Sequence, residues 1–389
     1  MTDAAPLEGI RVIDFSIMAA GPWAGSLLGQ LGADVIKVQP LQGDGSLQAD
    51  PKKGGISTNY AAINTNKRSI ALDLKAEADY QKAIALLKTA DVLLVNFRPG
   101  VMQRLRLDWP TVKKINPNLI YCDITGWGYD QSLADMGAAD YIVQAKSGFA
   151  CLNGATGETF RPFKHTGIID FTTAATAAES ILYGLIKRQE TGKGGLIELA
   201  MLDVAIMMQT FQLSLCLNGG ATPRPLGSGS DLACPDGAFK AKDKWIALTI
   251  ATDRQWDNLC TLLGDSAMAA DVSLARTEQR LAQRQRVQTF VADALEKASS
   301  SYWLGLLKKA NIPSSLFLDA DILHESHHCN VSDMIVFREN VAGEVVRLSG
   351  TPWRFANSPV AISRAPGVKE HQGEIESEIM SLQRHMVDA

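Results

Sequence analysis

The stretch RPFKHTGIIDFTTAATAAESILYGLIKRQETGKGGLIELAMLD, residues 161–203, sets an isolated carboxylate, Asp170, where the apolar pair Ile168 and Ile169 gives way to a helix. Phe171, Ala174, Ala175, Ala178, Ile181, Leu182, Leu185 and Ile186 recur at helical spacing, and Thr191-Gly192 closes the run. An aspartate in that position has two uses. It can cap the helix by accepting from the first free N–H groups. Those donors and the helix dipole also favour the anion, so Asp170 is expected to be ionised near neutral pH. An ionised carboxylate in a dry cleft can attack a carbonyl carbon and form a covalent intermediate. Helical spacing is compatible with both uses and does not choose between them.

Three further groups carry possible chemistry. The turn SIMAAGPWAG, 16–25, is rich in small residues and leads into a helix start, where anions can bind; equally, Gly21, Gly25 and Gly29 can let a helix lie close on a sheet. It lacks the G-x-G-x-x-G spacing, which argues against a nicotinamide or flavin dinucleotide oxidoreductase. The run His324-Glu325-Ser326-His327-His328-Cys329 puts His324 and His328 on one face of a helix, but neither H-E-x-x-H nor a four-ligand spacing is present, so no metal is expected. Arg161, Lys164 and His165 form a basic group just ahead of Asp170. It reads either as a solvated loop or as cations facing the cleft that would pair with a second carboxylate on a substrate.

Strands are expected over 10–15, 35–38, 70–74, 92–97 and 119–124, with helices over 22–31 and 76–89 between them. A buried sixth strand is expected over 196–201, followed by a helix opened by Asp203. Strand–helix alternation of this kind predicts a Rossmann-like α/β domain with a mostly parallel six-stranded sheet and helices on both faces. The Gly, Pro and Ser content of 218–236 reads as a linker. Beyond it a hairpin around 241–244, helices over 256–263, 277–298 and 302–309, and a strand over 315–319 make a smaller α+β domain. The expected organisation is a large domain over 1–217, the linker, a small domain over 237–329, and a return segment over 330–389 with little regular core of its own that packs on the large domain.

The chain has 389 residues, 46% hydrophobic and 21% charged, within the range of soluble globular proteins. A net charge of −4 disfavours nucleic acid or an anionic membrane as partner. Six cysteines without a C-x-x-C pair read as reduced thiols of a cytoplasmic protein. Residues 1–6 show no secretory signal, and no uncharged apolar run is long enough to span a bilayer.

An ordered set of motifs resembles the family III CoA-transferases. These are LEGIRVIDF at 7–15, AGP at 20–22, LGADVIKV at 31–38, NKRSIALDLK at 66–75, NFRPG at 96–100, NPNLIY at 116–121, GWG at 126–128 and DYIVQAKSG at 140–148. Asp170, followed after a helix by Thr191-Gly192-Lys193-Gly194, falls where that family has its catalytic aspartate. The resemblance implies a CoA-transferase in which Asp170 passes through an aspartyl anhydride and an aspartyl–CoA thioester. It implies that coenzyme A and acyl-CoA are substrates rather than resident cofactors, and that the partners are acyl-CoA, a carboxylic acid and a second copy of the chain in an interlocked, ring-like homodimer. It assigns CoA or substrate contact to Met18, Ala19, Ala20, Lys75, Asn96, Phe97, Arg98, Arg104 and Asp140, with oxyanion donors in the turn at 19–21 and at the start of the Asp170 helix. Arg161 and His165 are added on charge, for a dicarboxylate substrate.

The chain departs from the family in several places. Ile17, Gln39 and Leu47 stand where charged residues are frequent, Ala19 stands where formyl-CoA transferase has a glutamine, and Gly227-Ser228-Gly229 is a loose counterpart of that enzyme's glycine-rich lid. Ala139 occupies the place of the histidine base in the racemase branch, which counts against an acyl-CoA racemase or epimerase. A non-catalytic CoA-binding protein is the remaining alternative, opposed by the retained Asp170.

Overall fold

The computed structural model describes residues 4–128, 131–133, 136–356 and 361–387, so residues 1–3, 129–130, 134–135, 357–360 and 388–389 lie outside the described residues. The chain forms two units, one of Met1–Ala150, Pro162–Gly220 and His327–Ala389, the other of Cys151–Arg161 and Ala221–Ser326.

In the first unit the elements run β1 (Arg11–Asp14), α1 (Ala20–Gln30), β2 (Asp34–Gln39), β3 (Lys67–Ala71), α2 (Glu77–Lys88), β4 (Val92–Val95), β5 (Ile120–Thr125), α3 (Asp140–Lys146), α4 (Ile168–Thr191), β6 (Gly195–Ala200), α5 (Met201–Met207) and α6 (Thr210–Leu217). The six strands form one sheet in the order β3-β2-β1-β4-β5-β6, parallel at every pairing. The central strands are apolar on both sides because helices cover both faces. Ile13, Ile36, Leu93 and Tyr121 meet Ala83, Leu86 and Leu87 of α2 on one face. Val12, Val35, Leu94 and Ile120 meet Leu27 and Leu28 of α1 and Ala177 and Ile181 of α4 on the other. β6 differs from the buried strand expected over 196–201. It is the sheet edge, and Leu196 and Glu198 are exposed, since no further strand lies beyond it.

The second unit contains β7 (Asp236–Lys240), β8 (Trp245–Thr249), α7 (Asp253–Leu263), α8 (Thr277–Ala282), α9 (Arg284–Leu295), α10 (Ser300–Lys309) and β9 (Ser314–Leu316). β7 and β8 make the expected antiparallel hairpin, and Phe239, Ile246 and Leu248 pack against Trp256, Leu259, Val291 and Leu295. The helix expected over 277–298 is two helices. Arg280 is fully buried and donates to the carbonyls of Cys234 (2.8 Å) and Leu274 (2.9 Å), which anchors α8, and Gln283 then leaves helical dihedrals at φ −110° and ψ 27°.

The return segment has more regular structure than expected: a hairpin of β10 (Ile335–Glu339) and β11 (Val345–Ser349), and a helix, α11 (Gln372–Val387). Ile375 and Ile379 of α11 enter the core beside α2, while Arg68 holds Glu374 (2.7 Å) and Glu378 (2.6 Å). Gln372 accepts from the N–H of Ala71 at 3.0 Å, so the start of this segment satisfies the free edge of β3. In the sequence Ile375, Ile379, Leu382 and Met386 recur at helical spacing, a signal the expectation of little regular core passed over.

Candidate active site

The strand order reverses between β1 and β4: from β1 the chain builds outward to β2 and β3, then returns to build β4, β5 and β6 on the other side. Loops leaving the carboxyl ends of two such strands diverge and open a crevice. A cavity of about 490 Å³ lies there, lined from β1 by Met18, Ala19 and Ala20, from β4 by Asn96, Phe97 and Arg98, and by Asp140 and Asp170. Trp127, Met136, Ala139 and Met201 complete much of its largely apolar wall.

Polar residues inside apolar strands build the first wall. Asp14 ends β1 fully buried and pairs with Lys67 at 2.8 Å, and Lys37 of β2 pairs with Asp44 at 3.0 Å, also out of water. Burial alone would raise the Asp14 carboxyl, but the ammonium groups of Lys67 and Lys37 outweigh it and hold the group below the usual carboxylate range. Asp14 accepts from the N–H of Ser16 (2.8 Å), Lys37 donates to Ser16 O (2.8 Å), and Asp44 accepts from the N–H of Met18 (3.2 Å). Asn96 grips Ile17 from across the crevice, accepting from its N–H (2.8 Å) and donating to its carbonyl (2.7 Å). The loop is thereby held with Met18 at φ +66°, a left-handed backbone that a residue with a Cβ rarely adopts. Its geometry leaves the N–H groups of Ala19, Ala20 and Gly21, at the start of α1, without an acceptor among the described residues.

The glycines of α1 serve packing. A Cβ on Gly21 would lie 2.3 Å from Ser16 Cβ, and one on Gly25 would lie 2.8 Å from Asp14 Oδ2. Gln39, at a position of frequent family charge, is buried and donates to Ser69 Oγ (2.7 Å) and Tyr60 OH (3.1 Å), a structural role.

The second wall carries Asp170, and here the capping expectation is corrected. Asp170 lies in the first turn of α4 and does not cap it; the cap comes from Asp140, whose Oδ2 accepts from the N–H groups of Ile169 (2.7 Å) and Asp170 (3.1 Å). Gln144, fully buried, donates to Asp140 Oδ1 (2.5 Å) and to Phe163 O (2.8 Å), tying α3 to the chain entering α4. Among the described residues nothing donates to the Asp170 carboxylate. The backbone donors that would have favoured its anion are taken by a neighbouring negative charge, and Asp170 is pushed up to about 6, first by burial and then by Asp140. It is still mostly ionised at neutral pH, as expected, with its lone pairs free. Trp23 of α1 meets Phe171 edge-on at 5.9 Å, which sets the starts of α1 and α4 side by side.

Of the residues singled out from sequence, Met18, Ala19, Ala20, Asn96, Phe97, Arg98, Asp140 and Asp170 line this one cavity. Lys75 and Arg104 are exposed and are not among its lining residues. Arg161 lies in the second unit, paired with Glu158 at 2.5 Å. Lys164 lies 3.6 Å from the centre of the Tyr141 ring, and His165 is exposed. Gly227 is in the second unit, its N–H donating to Gly154 O at 2.9 Å. His324 follows one short helix and His328 belongs to another, His327–Ser332, so they do not share a helix face. No group of three His, Cys, Asp or Glu among the described residues is arranged to hold a metal. Sequence reading assigned no role to the Lys67, Lys37 and Asn96 contacts; charged residues inside otherwise apolar strands were the signal for the two lysines.

The shared environment of the two carboxylates gives a pH test. Protonated Asp170 is not a nucleophile, so kcat/KM should fall about tenfold per unit as pH drops below about 6. In Asp140→Asn the cap can persist through the amide oxygen while the repelling charge is gone, so the acidic limb should move to lower pH. An unmoved limb would mean that Asp140 does not act on Asp170 electrostatically.

Comparisons with known proteins converge on one group. The sequence profile of CoA-transferase family III matches residues 7–372. A succinate–glutarate CoA-transferase of Agrobacterium fabrum is 30% identical, over 97% of this chain and 97% of its own. An acetyl-CoA:oxalate CoA-transferase of Acetobacter aceti is 30% identical over 89% of this chain and 90% of its own. The crystal structure of a CAIB/BAIF family protein from Brucella suis superposes with a TM-score of 0.87 at 28% identity, over 96% of this chain and 99% of that one.

Proposed function

This chain belongs to CoA-transferase family III and is an enzyme, and from that premise we propose that it moves CoA between carboxylic acids through covalent chemistry at Asp170, with dicarboxylates as its substrates. The observation that carries the reading is the Asp170 carboxylate itself, half-buried, without a protein donor, and beside the unpartnered N–H groups that open α1. The Asp170 carboxylate attacks the thioester carbonyl of the donor. The tetrahedral oxyanion collapses with loss of the CoA thiolate, leaving an aspartyl–acyl anhydride. The thiolate attacks the aspartyl carbonyl, releases the donor acid, and leaves an aspartyl–CoA thioester. The acceptor carboxylate then attacks this thioester, and the freed thiolate takes the acceptor acyl group from the new anhydride, regenerating Asp170. The N–H groups of Ala19 and Ala20 are the candidate donors to the oxyanions. Every step exchanges acyl groups between oxygen and sulfur, so the reading requires no resident metal or redox cofactor.

Dicarboxylate use is supported by the names of the relatives, which act on succinate and glutarate or on oxalate. A homodimer is part of the proposal. α6 buries none of its residues in the single chain, and Phe211 (86% exposed) and Leu217 (79%) present an apolar surface of the kind that subunits cover. Cys122, Cys151, Cys216, Cys234 and Cys260 are free thiols, in keeping with the cytoplasmic setting proposed, and among the described residues no helix is long and apolar enough to cross a membrane. Trapping tests the mechanism. Hydroxylamine added during turnover should convert Asp170 to its hydroxamate, read by peptide mass. With an acceptor labelled by ¹⁸O in its carboxylate, one label should pass into Asp170, while the acid released in the first turnover takes unlabelled oxygen from it. Label passing directly from acceptor to released acid would sink the covalent route.

A further inference from the structure

The structural role of Gln39 extends from the sheet to the loop above Asp14. Its Oε1 accepts from the N–H of Asp44 at 3.1 Å, while Nε2 donates to Tyr60 OH (3.1 Å) and Ser69 Oγ (2.7 Å). Both hydroxyls pass the bond on, Tyr60 to the carbonyl of Pro366 (3.0 Å) and Ser69 to the carbonyl of Val368 (2.8 Å). These carbonyls belong to a turn of the return segment that Glu370 closes, accepting from the N–H of Gly367 at 2.8 Å and pairing with Arg364. In the other direction Asp44 accepts from the N–H of Met18 (3.2 Å). A continuous chain of hydrogen bonds therefore joins the return segment to the loop that presents Ala19 and Ala20. Gln39, Tyr60, Ser69 and Asp44 are each at most 2% exposed, so water does not compete for these bonds.

The ends of the chain fix the direction of every bond in it. The Asp44 N–H can only donate, and the carbonyls of Pro366 and Val368 can only accept. Each hydroxyl spends its single hydrogen on one of those carbonyls, so the side chain at 39 has to donate to both hydroxyls and accept from Asp44. The amide of Gln39 does this. A carboxylate of the same shape has no hydrogen to give.

We infer that Gln39 is a positioning residue for the transfer reaction: through Asp44 it makes the seating of residues 364–370 a condition for the aim of the N–H groups of Ala19 and Ala20. The inference rests on the reading of those groups as oxyanion donors and of Asp170 as nucleophile. Lys37 holds the Asp44 carboxylate by its charge, and Gln39 holds the backbone from which that carboxylate hangs. Met18 sits at a left-handed φ that its Cβ opposes, so the loop relaxes when its N–H loses a fixed acceptor. Oxyanion donors act only when aimed at the atom that takes the charge, and a misplacement near 1 Å costs on the order of a hundredfold in rate.

The test follows the first half-reaction, by rapid mixing of the full-length enzyme with succinyl-CoA and measurement of released succinate. Gln39→Leu and Gln39→Glu should lower the maximal rate about tenfold or more, with the half-saturating succinyl-CoA concentration kept within about threefold. Tyr60→Phe removes one oxygen and leaves the Gln39–Asp44 bond in place. It should slow the reaction less, and add little to Gln39→Leu, because both cut the same chain of bonds. Hydrogen exchange, read by peptide mass, should quicken at 16–21 and 364–372 together. Melting curves set a temperature at which each variant is folded. Wild-type maximal rates in the folded Gln39 variants overturn the inference, as does a rise in half-saturating concentration with the maximal rate kept. So does quicker exchange at 364–372 alone, which would leave Gln39 seating the return segment and nothing more. If neither Gln39 variant folds, a wild-type rate in Tyr60→Phe with unchanged exchange at 16–21 overturns it. A wild type that gives no Asp170 hydroxamate would instead sink the covalent reading on which the inference stands.

Discussion

Asp170→Asn is expected to lose transfer activity by a factor on the order of 10⁴ or more while the folded protein becomes more stable. The amide has the shape of the acid but cannot form the anhydride, and loss of a covalent nucleophile removes the whole route rather than one contact. The stability gain follows from linkage. The folded-state value of Asp170, about 6, is raised above the ordinary carboxylate value, so the native state binds this proton more tightly than the unfolded chain does. Wild-type stability is therefore penalised as pH rises through the interval from about 4 to 6, and the penalty is complete above it. Allowing for partial exposure, it amounts to about 1–3 kcal/mol, or a Tm several degrees higher for the asparagine variant at pH 8. The difference should vanish below about pH 4. Melting curves from pH 4 to 8 beside an acyl-exchange assay measure both. A variant that keeps turnover would remove Asp170 from the chemistry, and one less stable than wild type at pH 8 would mean that the carboxylate is held by favourable contacts after all.

The second large effect is expected at Lys67, outside the cavity. Its Nζ reaches Asp14 (2.8 Å), Pro22 O (2.6 Å) and Asn64 Oδ1 (3.0 Å) with no exposed surface, and burial pulls the ammonium down to about 8, which still leaves it charged at neutral pH. Lys67→Met leaves Asp14 as a buried anion with its closest cation gone, a change that costs about 3–5 kcal/mol. For a unit of this size that is a fall of roughly 10 °C in Tm. The double variant Asp14→Asn/Lys67→Met carries neither charge and should recover a large part of the loss, because an absent pair is far less harmful than half of one. Activity should suffer beyond stability, since Asp14 also holds Ser16 at the root of the loop that presents Ala19 and Ala20. A Lys67→Met protein with wild-type Tm would show that the pair contributes nothing to the fold.

Much of the architecture was legible in the chain because it depends on local pattern. Apolar strands of four to six residues alternating with helices gave the six-stranded parallel sheet, and the run after Asp170 gave α4, since period and punctuation are properties of neighbours in sequence. Two elements were misread. α11 carries Ile375, Ile379, Leu382 and Met386 at helical spacing, a legible signal that was passed over, whereas the break at Gln283 depends on Arg280 reaching the carbonyl of Cys234, 46 residues away.

The residue types of the site were also present in the sequence: an aspartate at a helix start, a turn of small residues, and the Asn96-Phe97-Arg98 run. Their arrangement was decided by tertiary structure alone. The resemblance had grouped Arg98 with the site of Asp170, and strand order is what brings it, 72 positions away, into the same cavity. Periodicity allowed Asp170 to be a cap stabilised as an anion; the fold gives that task to Asp140, 30 residues earlier, and turns a helix start that should favour the charge into one that opposes it. A carboxylate's charge and reactivity depend on what lies within a few ångströms in space, and that set is fixed by the order of strands in the sheet, which no local pattern encodes.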